Sequence, residues 1–163
     1  MSQVAVQPGD TATQPIRLTT DGDRQFYDFA AGVLATYTLD ADARALIAAA
    51  DVLMTPLYEQ IEELFESVMR APTHALRVVD FADIADDPRI ERVLAFVDRL
   101  DIAFLSLDPT QTDFRIALQT LAADCDKLFV ITLGAGGSIA ASRSATVVQP
   151  ALAVPRVVDT TGA

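Results

Sequence analysis

Four short apolar runs, set apart by helix-length intervals, constrain this chain more than any other feature. They are Val52-Leu53-Met54, Ala75 to Phe81, Ile102 to Leu105 and Leu128 to Ile131. Each is short and bounded by polar or turn-forming residues, so each reads as a buried strand. Strands alternating with helices of about 10 to 15 residues predict right-handed βαβ units. The expected fold is therefore α/β, a mainly parallel sheet with helices on both faces. The last run continues into Thr132-Leu133-Gly134-Ala135-Gly136-Gly137, a strand that feeds a tight loop. Glycines in such a loop permit positive φ and place no Cβ between the main chain and a ligand.

The intervening segments supply the helices. Asp40 is placed to cap a helix from Ala41 to Ala50, with Leu46, Ile47 and Ala50 facing inward. Thr55 as N-cap and Pro56 at the first helical position predict a second, with the apolar stripe Leu57, Ile61, Leu64, Phe65 and Val68. Its acidic residues Glu59, Glu62, Glu63 and Glu66 have no histidine or second acidic cluster beside them, and read as solvated surface rather than a metal site. A third helix begins at Asp87-Pro88 and is expected to bury Ile90, Val93, Leu94 and Val97. A fourth, from Asp113 to Ala123, carries Phe114, Ala117, Leu118 and Leu121. Ahead of all this, Met1 to Gln14 is an irregular lead-in with a short strand at Val4 to Val6. Asp21-Gly22-Asp23 then joins two alternating segments as a hairpin.

Composition narrows the partners. With 51% of its 163 residues apolar, the chain can build a packed core and is expected to be globular. The net charge of −11 repels a phosphate backbone, which argues against nucleic acid. No apolar run approaches the roughly 20 residues of a membrane span, and Met1-Ser2-Gln3-Val4 lacks the basic start of a signal peptide. The expectation is no membrane partner and a cytoplasmic location. The one cysteine, Cys125, excludes an internal disulfide, and the acids on either side of it argue against a reactive thiolate. His74 has no serine or carboxylate at a recognisable spacing and reads as surface.

Ligands of open α/β sheets gather beyond the carboxyl ends of the strands. That singles out Thr55, Asp80, Ser106 with Asp108, Thr132 to Gly137, and Asp159 to Ala163. Thr132, Gly134 and Gly137 match the pattern T-L-G-x-x-G, and Asp159-Thr160-Thr161-Gly162-Ala163 matches the first five residues of D-T-T-G-A-G-D. Together these stretches resemble the ribokinase/PfkB family of sugar and nucleoside kinases. The resemblance implies ATP-dependent phosphorylation of a sugar or related small alcohol, with ATP and Mg2+ and, as in many members, K+. It implies nucleotide binding by Thr132, Gly134 and Gly137, an anion hole at Gly162 and Ala163, and a monovalent cation at Asp159 and Thr161. The aspartate that acts as base in the family is expected just beyond Ala163, so no catalytic residue is assigned within the chain, and metal ligands stay unassigned.

Two further points follow from the same resemblance. Gly22-Asp23-Arg24-Gln25-Phe26 is similar to a G-[DE]-R-x-F strand of a small β lid. Residues 1–39 are accordingly expected to be a lid-like segment and 40–163 a partial nucleotide-binding core. As an incomplete domain, the chain is expected to form a homodimer through the lid or to associate through uncovered sheet. Where the family shows N-x-x-E after a strand, this chain has Ser106 and Pro109, with Asp108 as the neighbouring acid. Ser106 keeps the nucleotide-side position, but proline cannot replace the glutamate that helps position magnesium. A non-catalytic remnant that binds nucleotide or a protein partner is the alternative reading. A Rossmann-type dinucleotide enzyme is disfavoured, because no G-x-G-x-x-G follows the first strand.

Overall fold

The computed structural model describes residues 6–19, 24–82 and 84–153. They fall into two units, divided between Thr38 and Leu39 and again between Ala151 and Leu152. In the first unit, β1 (Ile16–Leu18) pairs antiparallel with β2 (Arg24–Phe26), Ile16 opposite Phe26. The ladder is prolonged by Tyr27 N–H to Pro15 C=O at 3.0 Å and by mutual Thr13–Ala30 hydrogen bonds of 2.9 and 3.0 Å. This is the expected hairpin. Its Asp21-Gly22-Asp23 connection lies outside the described residues, as does the short strand expected at Val4 to Val6.

The second unit holds the sheet. In chain order its elements are α1 (Ala41–Ala49), β3 (Val52–Pro56), α2 (Glu62–Arg70), β4 (Leu76–Phe81), α3 (Ile90–Leu94), β5 (Ile102–Ser106), α4 (Thr112–Cys125), β6 (Leu128–Thr132), β7 (Ser138–Ala141) and β8 (Thr146–Gln149). The strand order is β3-β4-β5-β6-β7-β8. The first four strands are parallel, and β6-β7 and β7-β8 are antiparallel. The parallel order follows from the helix-length crossovers between those strands, while the last two joints are short enough for hairpins.

One apolar core forms against one face of this sheet. Val79, Phe81, Ala103, Leu105, Phe129, Ile131, Ile139 and Ala141 share that face by register. They join Phe65 and Met69 of α2, Val93 of α3 and Leu118 and Ala122 of α4 in a single cluster. Fully burying a side chain such as Phe129 or Ile131 contributes about 1.5–3 kcal/mol. Phe65 meets Phe96 edge to face, with centroids 4.9 Å apart, the geometry that aromatic quadrupoles favour. On the opposite face Val78 is buried, whereas Val52, Met54, Leu76 and Val147 are exposed.

Several expectations are corrected here. Thr55 and Pro56 do not open a helix; they are the end of β3, opposite Val79 and Asp80. The Leu57 N–H continues that ladder to the Asp80 C=O at 2.8 Å. Pro56 is tolerated because β3 has a partner on one side only in this sheet. The helix begins instead at Glu62, and its buried residues are Phe65 and Met69. Leu46 and Leu94, expected inside, are 45% and 46% exposed; Ile47 is the buried residue of α1, and Val93 is that of α3, with Ile90 packed beside the core. Asp40 does cap α1, accepting the Ala43 N–H at 2.8 Å.

Candidate functional site

The site is built at the carboxyl ends of β5 and β6. Parallel pairing places Ser106, the last residue of β5, directly opposite Thr132, the last of β6. Their hydroxyls lie 2.9 Å apart, Ser106 Oγ to Thr132 Oγ1. The sheet continues one step further, with Leu107 N–H donating to Thr132 C=O at 2.9 Å. Two residues from separate sequence patterns are thus joined by strand register.

After Thr132 the chain makes a tight 3-10 turn over Gly134–Gly136. Leu133 is buried beneath it, and its N–H donates to Gly137 C=O at 2.8 Å. Gly136 N–H donates back to Leu133 C=O at 2.8 Å, and Gly137 N–H to Gly134 C=O at 3.0 Å. The amides of Gly134 and Ala135, at the front of the turn, donate to no described backbone group. Gly134 has φ +53, and a Cβ added there would find nothing within 4 Å. Gly137 is the reverse. At φ +88, its added Cβ would lie 2.2 Å from the carbonyl oxygen of Gln149. One glycine therefore faces open space, and the other lets the end of β8 pass.

The loop after β5 lies alongside. A Cβ on Gly136 would approach Pro109 Cγ at 3.9 Å. Asp108 Oδ1 accepts the Thr110 N–H at 2.8 Å and the Thr110 hydroxyl at 2.5 Å. Those bonds hold the Asp108 carboxyl below the ordinary aspartate value, the hydroxyl contributing most. The Asp108 N–H donates to Gln111 Oε1 at 2.9 Å, and Gln111 Nε2 donates to Ala85 C=O at 2.8 Å, tying this loop to the segment after β4. Asp80, the next-to-last residue of β4, lies opposite Pro56 and Phe104 in the sheet.

The structure thus brings together Ser106, Thr132, Gly134 and Gly137, with Asp108 in the adjoining turn. Asp159, Thr161, Gly162 and Ala163 lie outside the described residues. Thr110 and Gln111, which brace Asp108, were not singled out from sequence; an Asp two residues before a Thr is the Asx-type signal that marks such a turn. Among the described residues no group of three His, Cys, Asp or Glu side chains is arranged to hold a metal ion. Glu59, Glu62 and Glu63 are exposed, and Glu66 pairs with Arg70 one turn on, as a solvated helix face should. No described helix is long and apolar enough to cross a membrane.

Fold and loop placement define a class of α/β proteins whose glycine turn sits at the carboxyl edge of a mostly parallel sheet. Comparison with solved structures agrees on the ribokinase-like fold. Adenosine kinase from Sinorhizobium meliloti superposes with a TM-score of 0.70 at 23% identity, over 92% of this chain and 50% of that one. Ribokinase of Arabidopsis thaliana, complexed with ribose and ATP, superposes at 0.63 and 18% identity, over 95% and 53%. Residues 2–163 match the family described as pfkB family carbohydrate kinase, and the chain belongs to that family. Fructoselysine 6-kinase of Escherichia coli (strain K12) is 30% identical over 140 residues, 86% of this chain and 51% of that protein. The chain thus spans about half the length of the curated relatives it matches.

Proposed function

We propose that this chain is the nucleotide-binding part of a kinase that transfers a phosphoryl group from ATP to a hydroxyl of a sugar or related small alcohol. The observation that carries the reading is the Thr132–Gly137 turn, joined through Thr132 to Ser106 at the carboxyl edge of the sheet. The amides of Gly134 and Ala135, which donate to no described backbone group, and the open space above Gly134 fit an approaching phosphate. Backbone N–H groups in such a concavity attract anions without a cationic side chain. In a chain of net charge −11, that is a workable way to hold ATP.

Thr132 and Ser106 supply hydroxyls to the nucleotide. Magnesium is carried chiefly by the ATP phosphates, and Asp108, kept ionised by Thr110, supplies a carboxylate toward its waters. Asp159 and Thr161 belong to a monovalent-cation loop suited to K+, and Gly162 and Ala163 to an anion hole. Donors preorganised on the transferring phosphoryl group stabilise the charge that develops there. Residues 1–39 form a lid-like segment and residues 40–163 the core, and copies associate through the lid hairpin or the exposed sheet face. The Pro109 departure favours a second reading, a non-catalytic member that binds nucleotide or a protein partner.

Titration calorimetry with ATP and magnesium tests the proposal. The 163-residue chain should bind saturably, and Thr132→Val should weaken binding roughly tenfold, the effect of a lost phosphate-side hydrogen bond and its desolvation. No saturable binding, or equal binding by the variant, would remove the turn from the nucleotide site. A polypeptide carrying the whole signature should phosphorylate a sugar; binding without turnover would favour the second reading.

A further inference from the structure

A second group of polar side chains lies at the other end of the sheet, where β4 and β5 begin. Thr73, His74, Arg77, Asp98, Arg99 and Asp101 line a depression of about 210 Å³ there. At roughly 3.3 Å per residue, the five steps from Asp101 to Ser106 put it about 16 Å from the Ser106–Thr132 pair. It is a separate place.

Its construction is specific. Thr73 Oγ1 donates to Ile47 C=O at 2.6 Å and accepts the Ala75 N–H at 3.0 Å, fixing the loop that enters β4. Arg77 is half-buried, and its Nη2 donates to Ala71 C=O at 2.9 Å, so the guanidinium is held while its other donors remain. Asp101 anchors the floor rather than cancelling a charge there. Its Oδ2 accepts the Arg77 N–H at 2.9 Å, and its Oδ1 has Lys127 Nζ at 3.7 Å. Arg99 is exposed and makes no ion pair or side-chain hydrogen bond among the described residues, whereas Arg70, Arg89, Lys127 and Arg143 all have carboxylate partners. His74, the one histidine of the chain, is also exposed, and its side chain makes no hydrogen bond or ion pair among the described residues.

Lys127, outside the lining, offsets Asp101, which leaves Arg77 and Arg99 facing Asp98 alone in a chain whose total is −11. We infer that this depression is an anion site for a phosphate group, free or carried on a small metabolite, remote from the glycine turn. Arg77, Arg99 and His74 all line it, and guanidinium donors match phosphate oxygens in spacing as well as charge. Asp98 is the one group on its rim that opposes an anion without serving the fold through a described bond. This inference does not depend on the kinase reading.

The probe is inorganic phosphate, titrated into the isotope-labelled 163-residue chain at constant ionic strength while amide signals are followed by NMR. Residues 73–77 and 98–101 should shift saturably, with no matching shift at residues 132–137. Arg99→Glu should weaken this site about tenfold or more, since a lost charge-assisted bond is joined by repulsion. Asp98→Asn should tighten it a few-fold; a gain cannot come from misfolding. Non-saturating shifts, or affinities indifferent to both substitutions, would overturn the site. A metabolite phosphate that binds more tightly than inorganic phosphate would extend it to phosphate esters.

Discussion

Gly134 and Gly137 have the same composition and nearly the same position in the turn, yet alanine at each should behave very differently. At Gly134, φ of +53 lies in the left-handed region, and the new methyl would meet nothing within 4 Å. The cost is then conformational alone, about 1–2 kcal/mol for an L-residue there. At Gly137 the backbone is at φ +88 and ψ −141, close to a region used essentially by glycine, which costs about 1–3 kcal/mol by itself. The methyl would also sit 2.2 Å from Gln149 O, 2.8 Å from Ala151 N and 3.0 Å from Pro150 C. These are backbone atoms. They cannot move without disturbing the Ser138–Gln149 pairing of β7 with β8. Gly137→Ala should therefore lose at least about 3 kcal/mol, a large share of the roughly 5–15 kcal/mol that holds a typical domain. Urea unfolding followed by circular dichroism reads both variants, provided the slopes match. Equal losses at the two positions would refute the reasoning, because they would mean that the close approach of β8 does not constrain Gly137. A bulkier Gly134→Val should reduce ATP binding more than Gly134→Ala, since its side chain projects into the open space assigned to the nucleotide.

Arg143, in the turn between β7 and β8, closes the end of α4: its Nε and Nη2 donate to the carbonyls of Ala123 and Asp124 at 3.2 and 3.0 Å. Arg143→Ala should cost about 1 kcal/mol in the same urea assay by removing both bonds, which leaves the Ala123 carbonyl only the longer 3.4 Å bond from Asp126 N–H, while Arg143→Lys recovers part of it. Asp108, held below its ordinary value by Thr110, stabilises the fold fully above that ordinary value and loses the contribution as pH falls through the lowered one. Thermal melts of Asp108→Asn should therefore fall below wild type near neutrality and converge with it in acid. Finally, Val52, Met54, Leu76 and Val147 leave one sheet face apolar and exposed, and the charge of −11 that opposes contact acts over only about 8 Å in physiological salt. Light scattering should show apparent mass rising with salt, and a monomer at every ionic strength would count against association through this face.

The architecture was legible because it rests on periodicity. Four apolar runs and the glycine turn predicted β3 through β6 in parallel, and Asp40 marked the start of α1. Errors arose where local chemistry competed with pairing. Thr55-Pro56 has the composition of a helix start, but the ladder to Val79 and Asp80 outweighs it, which no local pattern can report. Leu46 and Leu94 were misplaced for a related reason: the inward side of α1 is narrow and centred on Ile47, and α3 docks through Val93 with Ile90 beside it. At the site, sequence supplied Ser106 and Thr132 from separate patterns but not their contact, since register between distant strands has no local trace. The bracing of Asp108 by Thr110 and Gln111 was visible in principle and passed unread.

Pro109 illustrates how a departure from a pattern can be coherent in three dimensions. The Gln111 N–H donates to Asp108 C=O at 3.0 Å, so residues 108–111 form a hydrogen-bonded turn with Pro109 at its second position. Proline is favoured there because its fixed φ suits the turn, and aspartate is favoured at the first position because its side chain can bond the backbone two residues on. Asp108 does so, to Thr110 N–H and hydroxyl. The sequence Asp108-Pro109-Thr110-Gln111 thus exchanges a carboxylate at the fourth position of the resembled pattern for one at the third, and fixes its direction. A glutamate at 109 would regain the original charge but add freedom to the turn and remove the ring that lies by Gly136. Acid and turn are alternatives at this position, and the chain has taken the turn.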